Sequence, residues 1–336
     1  MDPVTHSLTA LVVGRACLPA RRAAATRYAT AALVAAANVP DVDVLYWLAG
    51  PLPFLEHNRG WTHSVAAAAA LAAAVALLTQ WLGRRRRREV SLRLLLPLCL
   101  AGAASHLLLD WATADGTELL WPLKSARYAL DWFPYIDPWL LALLLLGLGL
   151  PALLRLILEE IGARRKEGVC KGAWVALAAC ALLAGGRATW QAGAVEQLES
   201  RLYRNRMPVR AAAFPLPLTP LTWHGVVETG STFETLEVTR GRSTETFSTF
   251  YKPAPSPALA AALETRTAEV FLAWARFPHV EISPTHAGWR VRLRDLRTAD
   301  DAPRFRRVTA WIELDENLKV IEEVVRRGRT ADTPPE

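Results

Sequence analysis

Runs of apolar residues that are long enough to cross a lipid bilayer place the strongest constraint on how this chain can fold. Six apolar segments, of which 172–187 is shorter than the three before it, occur along its first half: 5–20, 28–48, 62–82, 93–111, 137–156 and 172–187. The third, fourth and fifth reach or approach the roughly 20 apolar residues that a transmembrane helix needs. The first two are interrupted, by Arg15 and by the sequence NVPDVD, and we expect them to form a tilted or partly inserted hairpin. The sequence therefore predicts a membrane-embedded all-α bundle of about six helices.

The composition changes near residue 190. Residues 191–336 are polar and mixed, and stretches such as TFETLEVT and WRVRLRDL alternate with the period of two that is typical of strands. PSPALAAALETRTAEVFLAWARF predicts one amphipathic helix, and ELDENLKVIEEV predicts a hairpin that turns at Asp315 to Asn317. We predict a membrane domain over 1–190, followed by a small α+β domain in which a sheet packs on one long helix. That second domain holds three histidines with no metal-like spacing, which we interpret as surface or edge residues: His224, His279 and His286.

The distribution of basic residues predicts the orientation. If six helices alternate, the loops 20–28, 83–93 and 155–171 lie on one side with fourteen lysines and arginines, whereas 49–61 and 112–136 hold three. The positive-inside rule places the basic loops in the cytoplasm, and the C-terminal domain then lies outside it. Because the net charge of +7 follows this pattern, we interpret the run of five arginines as an anchor beside anionic lipid. The predicted partner is the bilayer and not nucleic acid.

Two pairs of polar residues are unusual for a membrane bundle. In SHLLLDWATADGTELLWPL, His106 and Asp110 are four residues apart and share one helical face, as two metal ligands would require. A hydrogen-bonded structural pair would have the same spacing. In NVPDVDVL, Pro40 interrupts the helix, and the carboxylates of Asp41 and Asp43 can point to one side. One of these aspartates could equally serve as a helix cap, so each pair alone is weak evidence for a metal site.

Together, four separate segments bring histidine or aspartate to the same side of the predicted bundle. The polar residues at this level are Asp2, His6, Asn38, Asp41, Asp43, His57, His63, His106, Asp110, Asp115 and Asp137. Carboxylate and imidazole together suit zinc, manganese or iron, whereas magnesium prefers oxygen ligands alone. With six or seven candidate ligands, a dinuclear site is as plausible as a single ion.

Several short motifs resemble those of a known family. MDPVTH, PDVD, NRGWTHS, SHLLLDWATADGTELLWP and YIDP occur in the order and spacing of the LexA-regulated, membrane-bound metal-dependent hydrolases (YdjM-like), over about residues 1–160. The resemblance implies an inner-membrane protein with metal-dependent hydrolase activity. The ligands that it implies are His6, Asp41, Asp43, His63, His106 and Asp110, with Asp137 as a further candidate. The family often has histidine directly before the arginine of its RG pair, where this chain has Asn58, so we place His57, Asn58 and Asn38 around the ligands.

These observations predict an inner-membrane hydrolase that uses one or two transition-metal ions, zinc or manganese, at the extracytoplasmic membrane face. The metal would lower the pKa of a bound water towards 7, with Asp115 or Asp2 as general base. The planar fork of Arg59 would hold an anionic or lipid-linked substrate. The alternative is a metal-binding transporter or sensor, which predicts polar residues further down the bundle, where 64–82 and 138–154 have almost none. A structural membrane protein without activity is the third interpretation.

Overall fold

A computed structural model of the chain describes residues 1–18, 23–87, 90–160, 171–239, 242–243, 247–298 and 307–334. The chain divides into two compact units. The first comprises Met1–Asp43 and Arg59–Thr189, and the second comprises Val44–Asn58 and Trp190–Glu336. The composition change near residue 190 lies beside this division, but the segment 44–58 packs with the second unit and not with the membrane domain in which the sequence placed it.

Part of the basic sequence that predicted the orientation lies outside the described residues. This applies to Arg21, Arg22 and Arg88, and to the basic residues of 161–170. Arg84 and Arg85 are described and lie in the last turn of a helix. The predicted orientation of the C-terminal domain therefore stays a prediction.

In the part of the chain that the structure describes, seven α-helices precede the C-terminal strands. They are α1 (Pro3–Cys17), α2 (Ala23–Ala36), α3 (Pro51–His57), α4 (Val65–Arg85), α5 (Leu92–Trp111), α6 (Pro138–Glu160) and α7 (Lys171–Glu199), with 3-10 segments at Val39–Ala49 and Trp61–His63. Capping residues determine where two of these helices, α1 and α4, begin. The Asp2 carboxylate accepts the first backbone N–H groups of α1, and the Ser64 hydroxyl accepts the N–H of Ala67 in α4 at 3.1 Å.

Small residues let the helices of the first unit approach closely. Ala68, Ala72 and Ala76 follow one face of α4 at four-residue spacing, and all three are buried in one core cluster with residues of α2 and α5. Gly102 of α5 has the same role towards α2. A Cβ atom there would lie 2.7 Å from the carbonyl oxygen of Leu33, so the backbones can only pack this closely around a glycine.

Three of the described helices are long and apolar enough to cross a membrane: Val65–Arg85, Leu92–Trp111 and Lys171–Glu199. A fourth span results if Thr26–Ala36 and Val39–Ala49, bent by 47° at their break, are counted as one. The break predicted at NVPDVD is thus confirmed, but the predicted number of six spans is wrong. The 15 residues of α1 extend only about 22 Å, against a hydrocarbon core of about 30 Å. Within α6, which continues to Glu160, the uniformly apolar stretch Pro138–Leu154 extends only about 26 Å.

The described residues of the second unit form two antiparallel sheets. Their strands are β1 (Arg210–Pro215), β2 (Thr222–Glu228), β3 (Thr232–Thr239), β4 (Arg242–Ser243), β5 (Ser248–Tyr251), β6 (Pro278–Thr285), β7 (Gly288–Asp295), β8 (Val308–Asp315) and β9 (Val320–Arg327). The first sheet has the order β1-β2-β3-β4, with β5 also paired to β3, and the second has the order β6-β7-β8-β9. The hairpin predicted at Asp315 is confirmed, since its side chain accepts the backbone N–H of Asn317 at 2.8 Å.

The prediction of one sheet on one long helix is wrong. The helical segment is divided into α8 (Pro257–Leu263) and α9 (Arg266–Trp274), because the hydroxyl of Thr265 accepts the backbone N–H of Ala268 and so starts a new helix. Both helices pack in one apolar cluster with the second sheet. Leu55 of α3 is buried in that cluster, and Glu56 forms an ion pair with Arg266 of α9. These contacts explain why 44–58 belongs to the second unit.

Two histidines of the second unit are buried. His224 and His279 make hydrogen bonds through Nε2 to the carbonyl oxygens of Leu296 at 2.9 Å and Tyr251 at 3.0 Å. The interpretation as surface residues is therefore wrong for both, although His279 does lie on β6, at one end of its sheet. Only His286, in the turn after β6, is exposed.

Candidate metal centre

Four side chains of the first unit converge on one point. Asp41 follows Pro40 in a 3-10 segment, His63 precedes α4, and His106 and Asp110 lie one turn apart on α5. One ligand atom from each lies within 4.8 Å of all the others. The Nε2 atoms of His63 and His106 are 3.2 and 3.4 Å from Asp110 Oδ2, and 3.5 and 3.7 Å from Asp41 Oδ1. A tetrahedral site with metal–ligand bonds of about 2.0–2.1 Å has edges of about 3.4 Å, so these separations suit one ion.

The other ring nitrogen of each histidine is held by the protein. Nδ1 of His106 donates to the backbone carbonyl of Ala37 at 2.8 Å. Nδ1 of His63 lies 2.9 Å from the Thr62 hydroxyl and 3.4 Å from Asp43 Oδ2, an oxygen that favours a proton on this nitrogen. With Nδ1 protonated, each Nε2 presents a lone pair to the cluster. Metal-binding histidines are usually oriented in this way.

The cluster contains buried polar atoms that lack a hydrogen bond. Among the described residues, no hydrogen-bond partner is found for Nε2 of His63 and His106, Oδ2 of Asp110 or Oδ2 of Asp41. Buried polar atoms in folded proteins are nearly always paired, because leaving one unpaired costs about 1–3 kcal/mol. A cation among these atoms would satisfy several at once. The donor set of two imidazoles and two carboxylates therefore fits a divalent transition metal.

Arg59 lies against this cluster and is itself buried. Its backbone N–H donates to Asp43 Oδ2 at 2.7 Å, with the backbone in a left-handed conformation at φ +55°. Its guanidinium lies 3.2 Å from Asp110 Oδ1 and 3.5 Å from Asp115 Oδ2, and it donates to the Thr113 hydroxyl at 2.7 Å. The two oxygens of Asp110 are thus divided: Oδ2 faces the histidines and Oδ1 faces Arg59. The guanidinium thus contacts a residue of the cluster, beside the role of holding an anionic substrate that the sequence predicts for Arg59.

His6 lies beside the four-residue cluster. Its ring stacks on that of His106 with centroids 3.9 Å apart, and its Nε2 is 3.3 Å from Asp110 Oδ1. Neither ring nitrogen of His6 has a hydrogen-bond partner among the described residues. The amino group of Met1 also contacts Asp110 Oδ1. The structure therefore brings His6 to the cluster, next to Asp110 Oδ1, whereas His63 and His106 lie next to Asp110 Oδ2.

Two further predicted residues have other partners. Asp137 caps α6 by accepting the Leu140 N–H at 2.8 Å, and its other oxygen is 2.6 Å from the guanidinium of Arg187, which is also buried. Asp2 accepts the backbone N–H groups of Val4 and Thr5 at 3.0 Å as the cap of α1. Sequence reasoning missed Arg187, although a charge inside the apolar run 172–187 is a signal that a buried partner exists.

The three residues expected around the ligands make local contacts. Asn38 donates to the Ser7 hydroxyl at 3.1 Å and to the Val34 carbonyl at 2.8 Å. His57 belongs to the second unit, where it stacks on Tyr46 with centroids 4.2 Å apart and bonds to the Pro53 carbonyl. Asn58 ends α3, with its backbone N–H donating to Phe54. Thr113 was not predicted, although it lies within a motif that carries the resemblance.

Apolar helices of spanning length and a buried group of histidines and aspartates together define a multi-pass membrane protein with a candidate metal centre. A family model described as YdjM inner membrane protein matches residues 1–192, and the chain belongs to this family. The resemblance drawn from the short motifs is thereby confirmed. The family is one of the inner membrane, and its match includes every residue of the cluster. No curated protein and no solved structure matches the chain.

Proposed function

We propose that this protein is a metal-dependent hydrolase of the inner membrane, with one zinc or manganese ion held by Asp41, His63, His106 and Asp110. The observation that carries the proposal is the convergence of four ligand atoms, in which each histidine Nε2 lies 3.2–3.7 Å from a carboxylate oxygen of both aspartates, close to the edge length of a tetrahedral site. Zinc is favoured over manganese because imidazole and carboxylate ligands in that geometry are typical of zinc. When bound, such an ion would supply Lewis acidity and activate a water molecule for hydrolysis.

The residues around the cluster support a division of roles in the reaction. Asp115 is partly exposed and 3.5 Å from Arg59, so it can exchange protons with water and is the better candidate for general base. Asp2 is the weaker one, because its carboxylate is engaged in capping α1. Arg59 places a buried positive charge next to Asp110, which favours a substrate with an anionic group such as a phosphate.

The location of the cluster supports a substrate that is linked to a lipid. α4 begins two residues after His63, and α5 ends one residue after Asp110, so the ligands lie at the ends of two candidate spans. Trp61 and Trp121 are exposed and lie near each other, as is typical of residues at the membrane–water interface. Arg84 and Arg85 are at the opposite end of α4, which supports placing the cluster outside the cytoplasm.

The packing of α4 and α5 favours an enzyme over a transporter. A transporter needs polar groups along a path through the bundle. In the part of α5 that precedes His106, the buried residues are Leu95, Leu98, Cys99, Gly102 and Ala103. The buried residues of α4 are three alanines and Gly83. In this described part of the bundle, the interior offers a cation no path of polar side chains.

The test compares metal content with turnover for three purified variants. Wild-type protein should hold about one zinc or manganese ion per chain and hydrolyse at least one member of a panel of soluble and lipid-linked phosphoesters. His106→Ala should lose both properties. Arg59→Lys keeps the charge but not the planar fork, and should retain most of the metal while losing turnover.

Glu118→Gln serves as a matched control, because its carboxylate lies 3.7 Å from Arg127 and outside the cluster. It should match the wild type in both measurements. Metal binding without turnover of any phosphoester would favour a sensor or transporter. Equal metal content in wild type and His106→Ala would refute the site itself.

A further inference from the structure

A cavity of about 560 Å³ lies in the second unit between the strands β5 and β6. Among the described strands, β5 pairs with β3 alone and β6 pairs with β7 alone, so each strand ends its sheet at this place. Residues 249–254 and 279–282 form most of the wall, and Trp289 of β7 completes it. Binding sites for small ligands have volumes of about 300–1,000 Å³, and this cavity falls within that range.

A buried histidine in the wall lacks one hydrogen bond. His279 is 3% exposed, and its Nε2 donates to the carbonyl of Tyr251 at 3.0 Å, which leaves Nδ1 as an acceptor. Among the described residues Nδ1 has no donor, since Glu281 Oε1, 3.7 Å away, is an acceptor too. Burial also lowers the pKa of His279, which keeps the ring neutral near pH 7. The site therefore calls for a ligand that donates an O–H or N–H.

The charges that line the cavity are already compensated. The Lys252 ammonium is 2.7 Å from a carboxylate oxygen of Glu228. The Glu281 carboxylate lies 3.5 Å from the guanidinium of Arg292 and 3.4 Å from that of Arg294. A charged ligand would have to compete with these ion pairs. A neutral ligand would leave them in place, and Glu281 could still accept a hydrogen bond from it.

Two aromatic side chains offer faces to a ligand. Tyr251 is 61% exposed and Trp289 is 38% exposed, although both contribute to the wall. Arg204 lies over the Tyr251 ring at 5.6 Å from its centroid, which holds the ring in position. Exposed aromatic faces next to hydrogen-bond acceptors match a ligand whose rings have an apolar C–H face and a rim of hydroxyl groups.

We propose that this cavity binds a neutral oligosaccharide. One sugar ring stacks on Trp289 or Tyr251, and its hydroxyl groups donate to Nδ1 of His279 and to the Glu281 carboxylate. A peptide strand could instead pair with β5 or β6. A neutral oligosaccharide explains the residues of the wall better than a peptide strand does. The oligosaccharide would use the unpaired nitrogen of His279 and the aromatic faces, whereas a peptide that pairs through its backbone would need neither. The proposal is independent of the metal-dependent activity.

The test measures sugar binding by the full-length protein, purified in a detergent without a sugar head group. The probes are maltotetraose, cellotetraose and chitotetraose, followed by saturation-transfer NMR and calorimetry. We expect at least one to bind, and Trp289→Ala or Tyr251→Ala to raise its Kd about ten-fold, the loss expected for one aromatic contact. Both side chains are exposed, so the variants should fold. His279→Gln can still donate to the Tyr251 carbonyl and should also weaken binding.

His286→Ala is the control, since His286 is exposed in the same β6–β7 hairpin and does not line the cavity. It should bind sugar with the Kd of the wild type. Failure of the wild type to bind all three sugars would overturn the proposal. So would a Kd that is unchanged in Trp289→Ala, Tyr251→Ala and His279→Gln, or binding of extended peptides in place of the sugars.

Discussion

Asp43→Asn removes one negative charge behind His63 with almost no change in side-chain size. In the structure, Asp43 Oδ2 accepts the backbone N–H of Arg59 at 2.7 Å and lies 3.4 Å from Nδ1 of His63. The carboxylate therefore holds the segment that carries Arg59 and favours the proton on Nδ1 that leaves Nε2 able to bind a metal. Both donors face the same oxygen, so an asparagine can keep both contacts with its carbonyl oxygen in that position, but it lacks the negative charge that holds the proton on Nδ1.

The structure limits how large the effect should be. Asp43 does not belong to the group of four converging atoms, and the ring of His106 is held separately by the Ala37 carbonyl. Loss of one residue that orients a metal ligand typically costs 10–100-fold in affinity, about 1.4–2.7 kcal/mol. We therefore expect the Kd for zinc to rise by about 10–100-fold with the number of bound ions unchanged. His106→Ala, which removes a ligand, should bind more weakly than Asp43→Asn.

The assay is a competition titration of purified protein with zinc and a chromogenic chelator. Glu118→Gln removes a carboxylate of the same unit that lies outside the cluster, and it should bind zinc with the wild-type Kd. A Kd within about two-fold of the wild type for Asp43→Asn would refute its orienting role. A loss as complete as that of His106→Ala would mean that Asp43 is itself a ligand.

Three further results are expected. Asp137→Asn leaves the buried Arg187 without its counter-ion and should lower the unfolding free energy by roughly 3–5 kcal/mol in thermal unfolding, with unchanged metal content. Because burial lowers the pKa of His279, the unfolded state binds more protons than the folded state below about pH 6.5. The free energy of unfolding, measured with denaturant, should therefore fall from pH 7.5 to pH 5.5. The fall should be smaller in His279→Gln. If α6 crosses the membrane between α5 and α7, a reporter fused after residue 336 should behave as extracytoplasmic; a cytoplasmic result would mean that α6 does not span and would contradict the orientation derived from the basic loops.

Local periodicity explains why half of the candidate cluster could be predicted from the sequence. His106 and Asp110 share a face of α5 because residues four apart do so on any helix. The same reasoning could not distinguish Asp41 from Asp43, since both follow Pro40 and can point to one side. Only the packing decides that Asp41 faces both Nε2 atoms while Asp43 faces Arg59 and the far side of the His63 ring.

Contacts between distant residues could not be derived in this way. Asp137 looked like a further ligand in its motif, but Arg187, fifty positions later, lies against its carboxylate. The number of spans was overestimated because hydropathy identifies apolar residues but not where helices begin and end. In the structure, α1 begins after the Asp2 cap and ends at Cys17. Likewise, alternation identified the strands but not their division into two sheets, which depends on which strands pair.

By itself, the sequence determined that the first half is helical and associated with a membrane, that strands follow, and which family the chain belongs to. These properties depend on composition, on periods of two and 3.6, and on short motifs, all of which are local along the chain. The tertiary structure decided which of the polar residues meet, which are engaged as caps or ion pairs, and that 44–58 joins the second unit. Those outcomes depend on the packing of segments far apart in sequence, where burial selects one set of partners from several that local chemistry allows.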